Sequence, residues 1–213
     1  MLFQFKYYFC MRYVKTCISK NFKLKFTIMK KISYLLLFAF IASTLFISCD
    51  EDDAEKSPFV KVKIGAQDNT SIGSFYSIAD DKVYTQDQAA TKQEKIDFLC
   101  FYEEGNDISL ASPGANITDI FTGATAPETW TTTDTTYFYQ TTLTTVQFDA
   151  LTEDDELIVT SYNADEARRK AKLLTVDDIY AFKTQDAYYG LLKVTEVAND
   201  SIGYVKFTYI LKK

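Results

Sequence analysis

Apolar and polar residues alternate through much of the chain after residue 58, and this pattern predicts a body made mainly of β-strands. In residues 60–64 three branched apolar residues alternate with two lysines, as in a strand with one buried face. Residues 95–102 carry apolar side chains on both faces, which indicates a central strand. Phe75-Tyr76 and Val83-Tyr84 flank Asp80-Asp81, so this stretch predicts a hairpin.

The C-terminal part of the chain predicts a three-stranded meander. Its strands span residues 179–184, 188–197 and 202–211, and short polar turns at 185–187 and 198–201 join them. In the last strand every second residue is apolar, and these residues form one face: Val205, Phe207, Tyr209 and Leu211.

The predicted helices are short. Residues 85–88 and 144–147 each place a threonine at the N-cap and a glutamine three residues later, which is a capping box. Residues 163–170 predict a third helix, with Asn at the N-cap and acid–base pairs four residues apart. Residues 157–162 fit either a strand or a helix, and periodicity does not decide between them. The threonine- and aromatic-rich residues 130–139 predict a further strand.

Together these elements predict a mainly β fold, a β-sandwich or partly open barrel, with two or three short helices. An α+β fold with one antiparallel sheet is the alternative. Residues 58–213 contain little that resembles an internal linker, so we expect them to form a single domain.

Charge is divided unevenly along the chain. The 213 residues have a net charge of −6, but residues 1–48 contain eight basic residues and no acidic one. The remaining 15 basic residues and all 29 acidic residues lie in 49–213, which leaves that part at −14. Such a division indicates a targeting segment joined to an acidic body, and an acidic body predicts no nucleic-acid partner.

The basic segment has the features of a secretory signal. Met29-Lys30-Lys31 precedes residues 32–47, an uncharged and mostly apolar run of 16 residues. This run is shorter than the ~20 residues that span a membrane comfortably, so residues 29–48 predict a signal peptide. A single-pass membrane anchor is the alternative.

The end of this segment resembles a bacterial lipoprotein signal. Phe46-Ile47-Ser48-Cys49 is similar to a lipobox, which implies cleavage after Ser48 and lipid attachment at Cys49. The Ser-Cys ending and the leader as a whole resemble lipoproteins of the Bacteroidetes group. Two or three acyl chains on one cysteine form a durable anchor, so the resemblance predicts attachment to the outer membrane.

The segments on either side of the signal are also interpreted from their composition. Translation is predicted to begin at Met29, so that residues 1–28 are a mis-assigned extension; a long basic n-region is the alternative. Residues 49–57 predict a flexible tether, because they are highly charged and end near proline. An acidic run directly after the cysteine resembles the surface-export signal of that bacterial group, with a periplasm-facing protein as the alternative: Asp50, Glu51, Asp52 and Asp53.

Residues 95–213 resemble a family of uncharacterised Bacteroidetes surface lipoproteins. The resemblance implies a surface location and a mostly β body, and it offers no catalytic motif. The similar segments are residues 95–98, 110–113, 142–144, 148–151, 181–184 and 189–194.

Composition removes several kinds of chemistry. The chain has no histidine, which excludes Ser-His-Asp and Cys-His catalysis and histidine-ligated metals. No glycine-rich phosphate loop or calcium loop is present, so the sequence predicts neither a cofactor nor a metal site. Cys100 lies in an apolar stretch and is predicted to be a buried core residue.

Charged residues allow two weaker interpretations. A glycan-active enzyme needs only two carboxyl groups on either side of a bond, and Glu103-Glu104 and Asp177-Asp178 are the least implausible pairs. Turn formation explains both pairs better. A basic cluster is a candidate site for a phosphate or sulfate: Arg168, Arg169, Lys170 and Lys172. It lies late in the predicted third helix, where pairing with upstream acids is a sufficient structural reason for it.

Aromatic residues suggest a binding surface. The part after residue 48 has 11 tyrosines and the single tryptophan. Trp130, Tyr137, Tyr139 and Tyr188 form a candidate stacking platform for a sugar or another apolar face. Tyrosine and threonine are also common in ordinary strands, which is the structural alternative.

Two short segments, Asp134-Thr135-Thr136 and Asp200-Ser201-Ile202, are similar to the O-glycosylation pattern of the same bacterial group. They make Thr135 and Ser201 candidate modification sites. Taken together, the sequence predicts a lipid-anchored outer-membrane or cell-surface protein that serves as a binding or structural module, with a glycan or surface protein as its partner. A carboxylate-dependent glycan-active enzyme is the alternative.

Overall fold

The computed structural model describes residues 57–213, which form one compact unit. The predicted signal peptide, the predicted lipidation site Cys49 and the acidic run of residues 50–53 therefore lie outside the described residues. The described chain folds into ten strands: β1 (Val60–Gly65), β2 (Phe75–Ser77), β3 (Lys82–Tyr84), β4 (Phe98–Glu103), β5 (Asp107–Ala111), β6 (Tyr137–Gln140), β7 (Lys170–Ala171), β8 (Ile179–Lys183), β9 (Tyr189–Ala198) and β10 (Tyr204–Leu211).

The ten strands form two antiparallel sheets of five. Sheet A has the order β1-β10-β9-β8-β6, and sheet B has the order β3-β2-β4-β5-β7. The predicted mainly β class is confirmed, and the alternative with one sheet is wrong. The predicted meander is also confirmed, since β8, β9 and β10 are neighbours in sheet A.

One segment, residues 168–171, connects the two sheets at their edges. Arg168 exchanges two backbone hydrogen bonds with Phe138 of β6, with N···O distances of 2.7 and 2.8 Å. Two residues later the same segment becomes β7 and pairs with β5 of sheet B. The chain therefore passes from one sheet to the other without a loop, and it closes one side of the sandwich.

The main core lies between the sheets and is rich in aromatic rings. Phe98 of β4 is fully buried, and its ring centroid lies 5.2 Å from Phe182 and 5.4 Å from Phe138. The rings of Tyr76 and Tyr209 also meet here, and their hydroxyl oxygens are 3.0 Å apart. The predicted central strand is confirmed, because β4 is the middle strand of sheet B and is buried on both faces.

Each sheet also has a covered outer face. Outside sheet B, Phe75, Leu99 and Phe101 pack against the loop that contains Phe121 and Trp130. Outside sheet A, apolar residues of β8, β9 and β10 pack under two short helices. Successive side chains of a strand point to opposite faces of its sheet. One set of side chains is therefore buried in the main core between the sheets, and the other set is buried under the cover of the outer face.

The helices form where the caps predict them. They are α1 (Gln86–Ala90), α2 (Thr145–Asp149) and α3 (Leu157–Thr160). Both predicted capping boxes are confirmed. The side chains of Thr85 and Thr144 each accept a hydrogen bond from the third backbone N–H of their helix. The side chain of the glutamine at that position accepts one from the backbone N–H of the threonine. Residues 157–160 resolve as helix, and Ile158 is buried under sheet A.

Two local predictions are wrong. Residues 163–170 do not form a helix: Asn163 caps a single turn, and the chain then extends to pair with both sheets. The hydrogen bonds to the two sheets stabilise the extended segment more than helical ion pairs would stabilise a helix. Each such ion pair contributes only a few tenths of a kcal/mol. Of residues 130–139 only the last three lie in a strand, and Trp130 packs instead against the outer face of sheet B.

Candidate binding groove

An open groove of about 780 Å³ lies against sheet A, at the end where β6, β8 and β9 meet. This volume is within the range of small-molecule sites. Strands, the end of α3 and two loops contribute its lining residues: Thr135, Tyr137, Val159, Tyr162, Ala164, Lys183, Thr184, Gln185 and Tyr189.

The register of sheet A brings the central groove residues together. Tyr137 of β6 lies directly opposite Lys183 of β8, and Lys183 lies opposite Tyr189 of β9. Directly opposite residues in antiparallel strands share a face of the sheet. Three neighbouring strands therefore present an aromatic, a cationic and an aromatic side chain in sequence.

Tyr162 closes the groove from the side of α3. Its ring is nearly perpendicular to that of Tyr189, with centroids 5.7 Å apart. This edge-to-face contact fixes both rings, since T-shaped pairs are favourable at such distances. Partial burial raises the pKa of the Tyr162 hydroxyl, so it remains a neutral hydrogen-bonding group.

Lys183 is the charged residue of the lining. Its Nζ lies 4.9 Å from the centroid of the Tyr189 ring, and the interaction with Tyr189 raises its pKa. Within residues 57–213 it has no carboxylate at ion-pair distance. The ammonium group thus interacts with the ring and the hydroxyl of Tyr189, and its remaining N–H donors are available to another partner.

No carboxylate belongs to the described lining of the groove. Three acids are immediate chain neighbours of lining residues: Asp134 precedes Thr135, Asp186 follows Gln185, and the exposed Asp165 follows Ala164. Burial, followed by the charges of Asp186 and Glu94, raises the pKa of Asp134. These acids repel one another beyond the groove and do not reach into it.

Asp97 belongs to the same acidic region but is almost completely buried. Burial raises its pKa to about 6, and the neighbouring charges of Asp134 and Asp186 add to this effect. The Ile78 backbone N–H donates to its carboxylate at 2.8 Å, which lowers the pKa in part. Asp97 is therefore a structural group that holds the β2–β4 connection.

The structure places the four predicted stacking residues at different sites. Tyr137 lines the groove and is 37% exposed, and Tyr188 is 50% exposed in the adjoining turn. Tyr139 packs into the outer cluster of sheet A. Trp130 is buried outside sheet B against Phe75, with ring centroids 5.3 Å apart. The platform is thus not one surface, and Trp130 is not part of the groove.

Sequence reasoning missed Tyr162, Lys183 and Tyr189. A signal for two of them was present, because the predicted meander has a short turn between residues 184 and 188. Counting outward from that turn pairs Lys183 with Tyr189. Nothing local points to Tyr162, which reaches the groove only through the packing of α3.

The remaining candidate residues lie elsewhere or stay untested. Thr135 lines the groove, and its N–H donates to Gln185 Oε1 at 3.1 Å. Ser201 lies half-buried in the β9–β10 turn. Glycosylation at either residue stays a prediction. Cys100 is fully buried and free, which confirms its predicted core position, and burial raises the pKa of its thiol.

The basic cluster has partners other than those predicted. Arg169 donates to the backbone oxygen of Gly114 at 2.6 Å, and Lys170 donates to that of Asn116 at 3.3 Å. Lys172 donates to the Asn106 side chain. The predicted helical pairs with Asp165 and Glu166 do not form within the described residues, because the segment is extended.

The acidic pairs predicted as turn formers act as such. Asp178 accepts from the backbone N–H of Thr175 at 2.8 Å, and Glu103 accepts from the side chain of Asn106. In residues 57–213 no group of three or more potential ligands is placed to hold a metal ion. Over the same range, no helix is long and apolar enough to cross a membrane.

Comparison with known proteins shows a shared fold. Neither a protein-family model nor a curated protein sequence matches the chain. A solved structure that is similar is a DUF4466 family protein from Parabacteroides merdae, with a TM-score of 0.50 and 13% sequence identity. The similarity covers 71% of this chain and 52% of that one, so this chain spans about half the length of its structural neighbour. The β-rich fold is thus also found in a protein from Parabacteroides merdae.

Proposed function

We propose that this protein is a lipid-anchored outer-membrane protein that binds glycans at the cell surface through the groove on sheet A. The groove carries the proposal: two tyrosines and a lysine share one open face, and Thr135 and Gln185 add hydrogen-bonding groups at its edge. Tyrosine offers an apolar face and a polar tip, which suits the alternating apolar and hydroxyl surfaces of a sugar.

The same lining favours binding over catalysis. A glycosidase needs two carboxyl groups flanking the scissile bond. The acids near the groove lie outside its described lining, and Asp97 is buried with its carboxylate bonded to the backbone. A carboxylate-dependent glycan-active enzyme therefore remains the second candidate, supported only by the position of Asp134 and Asp186 beyond the groove.

The lipid anchor is supported by the leader sequence. Residues 46–49 resemble a lipobox, and an acidic run follows directly. Two or more acyl chains bind a membrane durably, whereas a single chain does not. The proposal therefore makes Cys49 responsible for membrane attachment and the acidic run responsible for export to the outer face.

Replacement of the lipidated cysteine tests the anchor. We expect Cys49→Ala to release the protein from the membrane fraction or to leave an unprocessed precursor, since no lipid can be attached. Fractionation and immunoblotting measure this, with Cys100→Ala as the control, since it removes the other cysteine that follows Met29 and should stay in the membrane fraction. Unchanged membrane retention of Cys49→Ala would refute the anchor.

Protease treatment of intact cells tests the surface location, and full protection of the domain would contradict it.

Truncation of an exposed groove tyrosine tests glycan binding. We expect Tyr137→Ala to weaken binding about fivefold, because an aromatic contact of this kind contributes on the order of 1 kcal/mol. Affinity electrophoresis of the full chain in detergent, through gels containing soluble polysaccharides, measures the change. Tyr204→Ala removes a half-exposed tyrosine from the opposite end of sheet A and is the matched control. Equal binding by both variants would show that the groove is not the site.

A further inference from the structure

The groove is part of a longer row of side chains that crosses five adjacent strand segments. Arg168 is bridged to Phe138, so Arg169 lies opposite Tyr137, and its guanidinium carbon is 5.9 Å from the Tyr137 ring centroid. On the far side, the N–H of Lys212 donates to the carbonyl of Tyr189 at 2.9 Å. We name this the cation–aromatic row: Arg169, Tyr137, Lys183, Tyr189 and Lys212.

Two of the three cations of the row have no carboxylate at ion-pair distance within residues 57–213, namely Arg169 and Lys183. Arg169 contacts the backbone oxygen of Gly114, and Lys183 has no carboxylate at ion-pair distance within residues 57–213. Lys212 is paired with Glu156 at 3.0 Å. Residues 49–213 carry a net charge of −14, so positive charge without a carboxylate partner in the groove needs a reason other than general surface composition.

Charge also gives the groove a direction. Along the strands, the side chains beyond Tyr137 and Lys183 become acidic. Thr135 and Gln185 come first, and Asp134 and Asp186 lie next to them. Across the strands, every second strand of the row carries a cation. Neighbouring cations are therefore about 10 Å apart at ordinary strand spacing. A negatively charged chain is repelled in the first direction and attracted in the second.

We propose that the ligand of the groove is an acidic polysaccharide, which lies across the strands along the cation–aromatic row. The tyrosines contact its sugar rings, and Arg169 and Lys183 bind its carboxylate or sulfate groups. Charge-assisted hydrogen bonds to such groups are stronger than neutral ones. This inference rests on the proposed glycan-binding function and specifies the class of glycan.

Matched pairs of ligands test the inference in the full chain. Oligogalacturonate is compared with its methyl ester, which has the same sugars without the negative charges, and dextran sulfate is compared with dextran. We expect an acidic member to bind at least tenfold more tightly than its neutral partner, and we expect salt to weaken that binding. Preference for oligogalacturonate identifies carboxylate as the recognised group, and preference for dextran sulfate identifies sulfate.

A matched pair of variants locates the effect. Lys183→Gln should reduce acidic-glycan binding about tenfold and leave binding of the neutral partner unchanged. Lys82→Gln is the control, because Lys82 is an exposed lysine whose Nζ also lies 4.9 Å from a tyrosine ring, that of Tyr84, outside the groove. If Lys183→Gln does not fold, Arg169→Gln replaces it in this comparison, because Arg169 is the other cation of the row without a carboxylate partner within residues 57–213.

The outcomes separate the two proposals. Equal, salt-independent binding of acidic and neutral partners would overturn the acidic ligand and leave glycan binding intact. An equal loss in Lys183→Gln and Lys82→Gln would overturn the placement in the groove. Binding of none of the four probes, together with no binding of other polysaccharides, would overturn both proposals.

Discussion

Gly190→Ala is expected to destabilise the domain by about 3 kcal/mol. Gly190 lies opposite Phe182 in sheet A, and the Phe182 ring covers the position where a side chain would be. A Cβ atom at residue 190 would lie 2.2 Å from Cζ of that ring and 2.9 Å from the Ile210 carbonyl oxygen. Phe182 cannot yield easily, because it is fully buried against Phe98. Urea unfolding monitored by the fluorescence of Trp130, the single tryptophan, measures the loss.

Two further variants identify the cause of that loss. Gly105→Ala adds the same methyl group where no atom lies within 4 Å, at a φ of +81°. We expect it to cost only the backbone strain of about 1–2 kcal/mol. The double variant Phe182→Leu, Gly190→Ala should be more stable than the sum of its single effects predicts, since leucine lacks the clashing ring atom. Strict additivity would contradict the clash.

Asp97→Asn is expected to stabilise the domain at pH 8 by on the order of 3 kcal/mol and to have little effect near pH 4. Burial raises the pKa of Asp97 from 3.8 to about 6 in the folded protein. The neutral carboxyl therefore stabilises the fold below pH 4, and this contribution is lost as the pH rises through 6. Asparagine stays neutral and can still accept the hydrogen bond from the Ile78 N–H. Urea unfolding at several pH values between 4 and 8 measures the difference.

The exposed residue Asp154 supplies the control for this change. Asp154→Asn makes the same substitution at the surface and should not reproduce the stabilisation at pH 8. A constant difference between Asp97→Asn and the wild type from pH 4 to pH 8 would contradict ionisation of Asp97 in this range. Destabilisation at pH 8 would show that the carboxylate makes contacts that asparagine cannot replace.

The parts of the fold that sequence predicted correctly depend on neighbours in the chain. The meander of β8, β9 and β10 needs only alternation and two short turns. The capping boxes at Thr85 and Thr144 are likewise complete within four residues. Such signals are contained in the local sequence, so the structure reproduces them.

The wrong predictions involve partners that are distant in the chain. Residues 163–170 have the composition of a helix. In the structure, Arg168 instead pairs with Phe138 of sheet A, and Lys170 pairs with Ala111 of sheet B. Trp130 and Tyr137 are close in sequence, yet they lie outside opposite sheets of the sandwich. Local propensity decides neither outcome, because long-range pairing and burial are worth more.

The groove could be predicted only in part for the same reason. Tyr137 stood out as an exposed aromatic residue, whereas Lys183 is a meaningful site residue only once its strand neighbours are known. Arg169 was assigned to a helix, and the sheet-to-sheet segment places it beside Tyr137. A surface assembled from cross-strand neighbours has no linear motif.

The segment of residues 168–171 belongs to both sheets, and this has a consequence for how the domain opens. Neither sheet can separate from the other without breaking the hydrogen bonds of this segment, so the two should unfold as one cooperative unit. Arg169 lies within it. An acidic polysaccharide bound across Arg169 and Lys183 would therefore stabilise this junction, and the free energy of unfolding of both sheets together would rise with occupancy.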